Sequence, residues 1–73
     1  MARQTEAPGV ALRSLRQMSG MTLKEVAFAA DTSISYLSKV ERGEFAPSQE
    51  YVAKVAFVIS RSMLPAPVKA KAA

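Results

Sequence analysis

The sequence predicts an all-α domain of four to five helices, on three observations. Turn-forming residues recur at Pro8-Gly9, Gly20, Asp31-Thr32-Ser33, Gly43, Pro47-Ser48 and Pro65-Ala66-Pro67. The intervals between them are about 8 to 16 residues, the usual length of a helix. No stretch alternates apolar and polar residues for long, and no Asn-Gly or Asp-Gly pair marks a hairpin. The apolar content suits one small core. Of 73 residues 49% are hydrophobic, but 13 of these are Ala, so the larger apolar side chains can fill one core and little more.

The first helix is expected from Pro8 to Ser19, with Leu12, Leu15, Met18 and Ala11 at inward-facing spacing. Pro8 suits a first helical turn and Gly20 the position just past the end. The second starts at Thr22 and ends near Ala30. Thr22 and Glu25 form a T-x-x-E capping box, in which the Thr oxygen takes one free amide and the Glu takes another. Val26, Ala27 and Ala30 are its inward residues. The third is capped by Ser33 or Thr32 and runs through Arg42, where Gly43 can turn left-handed. Leu37 and Val40 face in. The fourth is capped by Ser48 and runs to about Ile59 or slightly beyond, with Val52, Val55, Ala56 and Ile59 as its stripe. A vestigial fifth turn is expected around Met63-Leu64, because Pro65 and Pro67 forbid a long last helix. The domain is thus expected at 8–64, between a flexible N-terminus at 1–7 and a disordered basic tail at 65–73.

Composition excludes several functions. No apolar run is longer than that from Val55 to Ile59, far shorter than the roughly 20 residues of a membrane span, so no membrane partner is expected. With no Cys and no His, disulfides and the commonest zinc ligands are lost, and a cytoplasmic address follows. No phosphate-cradling Gly-rich motif is present and the Ser residues lack a base, so neither an enzyme nor a cofactor is expected. The net charge of +4 permits a polyanion partner without locating it. Residues 1–21 carry +2, 22–43 are balanced, 44–60 carry −1, and 61–73 carry +3 from Arg61, Lys69 and Lys71.

Function concentrates where the second and third helices meet. A joint as short as Asp31-Thr32 forces a steep crossing, as in a helix-turn-helix over about 22–42. Ala27 is small enough for the close contact, and Asp31 can take the positive φ of the turn, less comfortably than Gly would. With Leu37 and Val40 turned inward, Ser35, Ser38, Lys39 and Arg42 lie on the exposed side.

These residues resemble the lambda-repressor-like (Cro/repressor, XRE-type) helix-turn-helix family. The resemblance rests on Leu12, Leu15-Arg16, Gly20, Thr22, Glu25, Val26-Ala27, Ser33, Ser35-Tyr36-Leu37-Ser38, Glu41-Arg42-Gly43-Glu44 and Pro47-Ser48. It covers about residues 9–60, and the S-x-S-Y-L-S-x-V-E-R-G-E segment followed by P-S is its most specific part. The resemblance implies a transcription regulator, most simply a small Cro-type repressor that binds double-stranded operator DNA as a homodimer, formed in solution or only on DNA. The third helix would lie in the major groove, with Ile34, Ser35 and Lys39 facing bases and Ser33, Tyr36 and Ser38 alongside. Lys39 can reach a guanine edge, whereas Ile34 can make only apolar contact, most naturally with a thymine methyl. Tyr36 and Arg42 suit phosphate better, and amides near Thr22 or the basic tail can supply further phosphate contacts. Without the resemblance, each such Ser or Lys is simply a solvated residue. The family pattern further implies a partly buried ion pair between Arg16 and Glu41.

Departures from the pattern open a second reading. Leu23 stands where relatives often carry Gln, Ile34 replaces a polar base reader, and Glu44-Phe45-Ala46 fills a loop that is often basic or polar. Together with Phe28 and Phe57, these raise a protein-binding surface as the alternative, such as an antitoxin that uses the same fold. Self-association is expected through Tyr51 and Val58, about 20° apart on a helical wheel, with Met63 and Leu64 following. The competing reading is that Tyr51 and Val58 merely widen the core stripe.

Overall fold

The computed structural model describes residues 7–64, and among these it contains four helices and no strand. They are α1 (Pro8–Ser19), α2 (Leu23–Ala29), α3 (Ile34–Glu41) and α4 (Gln49–Met63). The segments 1–6 and 65–73 lie outside the described residues, as therefore do the expectations of a flexible start and a basic tail. No described helix is long and apolar enough to cross a membrane.

Local chemistry explains most boundaries. Thr22 closes its capping box, its Oγ1 accepting from the Glu25 amide at 3.0 Å while Glu25 Oε1 accepts from the Thr22 amide at 2.8 Å. Ser33 and Ser48 cap α3 and α4 by accepting from the amides of Tyr36 and Tyr51. The first three helices end alike. After each, a left-handed residue lets two amides turn back onto the last carbonyls: Gly20 (φ 78°), Asp31 (φ 57°) and Gly43 (φ 81°). Only the helix-turn-helix joint does this without glycine.

The second helix ends near Ala30 as expected, with Ala30 as its cap, and two other ends differ. Arg42 follows α3 as its cap. The fourth helix continues a turn past Ile59, so Met63 closes α4. Leu64 is extended (φ −80°, ψ 148°), as the residue before a proline prefers. The expected fifth turn around Met63-Leu64 is thus the end of α4.

The core consists of Leu12, Val26, Ala27, Ala30, Leu37, Val40, Val55 and Ile59. Leu37 and Ile59 are fully buried, and a side chain of that size contributes about 1.5–3 kcal/mol by leaving water. Packing of α1 on α3 and α4, and of α2 on the same two helices, closes around these residues. Met18 and Ala11 do not join them: both are exposed, Met18 by 72%. At 100° per residue each lies 100° or more around α1 from the buried Leu12. The place goes instead to Gly9, which is buried where α1 crosses the end of α3. A Cβ there would lie 1.8 Å from the Val40 carbonyl oxygen, so only glycine allows this approach.

Candidate nucleic-acid interface

The orientation of α3 is set from below. Leu37, Val40 and Glu41 form its buried side, and Glu41 is the one buried charged residue among those described. Arg16 meets it in a two-pronged pair, Nε to Oε2 at 2.8 Å and Nη2 to Oε1 at 2.9 Å. Its remaining Nη1 donates to the Met21 carbonyl at 3.0 Å. The two side chains are only 13% and 4% exposed. Hydrogen bonding to Glu41 holds the Arg16 guanidinium above its ordinary pKa, more than burial lowers it. This pair ties α1 to α3.

On the other side of α3, Ser33, Ile34, Ser35, Tyr36 and Arg42 are exposed, and Ser38 and Lys39 are half-buried. Ser35, Lys39 and Arg42 share one arc within about 60°. Two residues of the following loop engage the cations on that arc. The Lys39 ammonium lies 5.7 Å from the centre of the Phe45 ring. Arg42 Nε donates to Glu44 Oε2 at 2.7 Å, and its Nη1 donates to the Ser38 hydroxyl. Phe45 stacks on Tyr36 at 5.5 Å, and Tyr36 meets Tyr51 edge-on at 5.2 Å. The Tyr51 hydroxyl lies 3.0 Å from the Thr32 hydroxyl. A chain of contacts therefore runs from the loop across α3 to α4 and back to the helix-turn-helix joint. Burial pushes the Tyr51 phenol above its ordinary pKa, against the lowering effect of the Thr32 bond.

Two depressions flank this surface. A cleft of about 550 Å³ between α2 and the start of α3 is lined by Lys24, Ala27, Phe28, Thr32, Ser33 and Ile34, with Glu25 at its edge. Phe28 is 88% exposed there. A smaller notch of about 220 Å³ is bordered by Arg13, Leu23, Ser38 and Arg42, above the Arg16–Glu41 pair. Arg13 and Lys24 are absent from the sequence-derived set. Arg13 had a signal, since it precedes Arg16 by three residues and so shares its side of α1. Of the amides near Thr22, the capping box takes those of Thr22 and Glu25.

The residues expected at a dimer contact differ in burial. Tyr51 and Val58 are half-buried against the chain's own core, with Tyr51 bonded to Thr32 as well. Met63 and Leu64 are exposed at the end of α4. Phe57 is also exposed, with the Arg61 guanidinium 5.8 Å from its ring centre.

Four helices, a short α2–α3 joint turned by a left-handed Asp31 and a polar outward arc on α3 define a helix-turn-helix protein. The family described as helix-turn-helix matches residues 12–62. The chain belongs to this lambda-repressor-like helix-turn-helix family. Over 50 residues it is 42% identical to a protein named transcriptional regulator ClgR from Mycobacterium tuberculosis, covering 68% of this chain and 45% of that protein. Over 45 residues it is 49% identical to HTH-type transcriptional regulator DdrOP3 of Deinococcus deserti, covering 62% of this chain and 35% of that protein. The chain thus spans less than half the length of these relatives. No solved structure gives a significant match.

Proposed function

We propose that this chain is a sequence-specific operator-binding regulator of the small Cro type, a repressor that acts as a dimer with α3 in the major groove. The observation that carries this reading is the division of α3. Leu37, Val40 and Glu41 are used up by the core, while Ser35, Ser38, Lys39 and Arg42 face outward with no packing role in the core. Ile34, exposed at the start of α3, suits a thymine methyl, and Ser33 and Tyr36 border the same approach. Arg13 and Arg42 on the notch rim suit backbone phosphate, with Thr22 at the neighbouring start of α2. Dimer contact through the exposed Met63 and Leu64 fits better than contact through Tyr51 and Val58, which serve the monomer.

Lys39 separates base reading from backbone binding. Lys39→Ala is expected to weaken binding to the cognate duplex by about 1–3 kcal/mol and to change binding to scrambled DNA little. Replacing both Lys69 and Lys71 should instead weaken all duplexes alike and reduce the log-log salt slope by about one to two. Titrations of the two duplexes at several salt concentrations decide this. Equal loss on both duplexes for Lys39→Ala would leave α3 as a backbone contact only. The antitoxin reading is favoured by one observation, the exposure of Phe28 beside an apolar cleft. A stable complex with a toxin encoded next to the gene, lost on Phe28→Ser, would support it.

A further inference from the structure

The two cations on the outward arc of α3 are held by consecutive residues of the same loop, and the two contacts leave different charges behind. Phe45 lies under the Lys39 ammonium without cancelling its charge. Glu44 neutralises Arg42 through a charge-assisted bond of 2.7 Å. The backbone delivers that carboxylate: Gly43 turns left-handed, and the Glu44 amide donates to the Lys39 carbonyl at 2.9 Å. Arg42, and then Lys39, hold the Glu44 carboxyl below its usual range, so it is ionised at neutral pH. Both side chains of the pair are about half exposed, so a second anion can reach the guanidinium.

A phosphate approaching the notch between Arg13, Ser38 and Arg42 meets a cation that already has an anion. We propose that Glu44 is an internal competitor of DNA phosphate for Arg42, lowering the sequence-independent part of binding while Lys39 keeps its charge for bases. This rests on the DNA-binding reading above. When Arg42 turns from Glu44 to a phosphate, a carboxylate is left unpaired beside the duplex. The backbone contact then adds little net neutralisation and releases little salt.

The test is a double-mutant cycle on the full chain, with a random-sequence duplex titrated at several salt concentrations. Glu44→Gln should tighten binding roughly three- to tenfold and steepen the log-log salt slope by about 0.9. Arg42→Gln, which leaves Glu44 unpaired, should weaken binding in the native chain, and the gain from Glu44→Gln should be clearly smaller when Arg42→Gln is present. Glu50→Gln, on an exposed residue of the first turn of α4, controls for net charge. The proposal is overturned if Glu44→Gln has no effect, if the two substitutions act additively, or if Glu50→Gln tightens binding equally. Failure of the native chain and every variant to bind any duplex, while remaining helical by circular dichroism, would overturn the DNA-binding reading itself and this proposal with it.

Discussion

Among the described residues an Arg–Glu pair is used twice, at the two sides of α3, and the two pairs are built differently. Arg16 and Glu41 come from different helices, 25 residues apart, meet through two parallel bonds, and are almost wholly buried. Arg42 and Glu44 are two residues apart, meet through one bond to the carboxylate, and are 51% and 49% exposed. Burial decides what each can do. Removing one member of the inner pair strands a charge without water, whereas water and ions replace either member of the outer one. The inner pair fixes where α3 lies, and the outer pair can exchange partners.

The largest expected effect follows from the inner pair. Arg16→Met alone should destabilise the fold by about 3–5 kcal/mol, because Glu41 is left buried and unpaired. Adding Glu41→Leu should recover much of that loss. Urea unfolding of the single and double variants measures both, and a double variant no better than the single would show that the pair has no separate desolvation cost. Next comes the α1–α3 crossing beside this pair. Gly9→Ala would drive a methyl into the Val40 carbonyl, and should cost about 1–3 kcal/mol, the usual range for overpacking. A neutral Gly9→Ala would mean that α1 can shift without disturbing α3.

Smaller effects belong to the outward side. Among the described residues Asp31 alone adopts a left-handed φ without being glycine, so Asp31→Gly should stabilise the fold by about 0.5–1 kcal/mol in the same unfolding assay. Glu44→Gln should lower the thermal midpoint only slightly at neutral pH. The lowered carboxyl of Glu44 gives the sign of its pH dependence. A carboxyl held lower in the folded state contributes above its unfolded pKa, and the contribution fades as pH falls through the folded value. Comparison of the native chain with Glu44→Gln across acid pH should therefore show a small native advantage that disappears on acidification.

Where a feature is closed within a few residues, it was legible in sequence. The Thr22–Glu25 box, the Ser33 and Ser48 caps, and the turns at Gly20 and Gly43 all depend on backbone groups at most a few positions away. The inward stripes of α2, α3 and α4 follow from the 3.6-residue period in the same way. The resemblance of the middle of the chain to repressor domains added the Arg16–Glu41 pairing, which spacing alone does not supply. Met18 was misplaced because periodicity finds an apolar arc without saying which edge of it meets the neighbouring helix.

What tertiary structure decided is how helices rotate and approach one another. Gly9 reads in sequence as a turn residue beside Pro8, and only the crossing of α1 over Val40 makes its missing side chain necessary. Tyr51 reads as an exposed flank of α4 until the α2–α3 joint brings the Thr32 hydroxyl within 3.0 Å of its own. Lys39 and Arg42 read as two free cations until the chain, turning back at Gly43, lays Phe45 and Glu44 against them. Caps and periods arise from the geometry of one segment, so the sequence by itself determines them. Close approaches, shared hydroxyls and captured charges depend on the relative position of two segments. Packing of the whole core sets that position, and no local stretch encodes it.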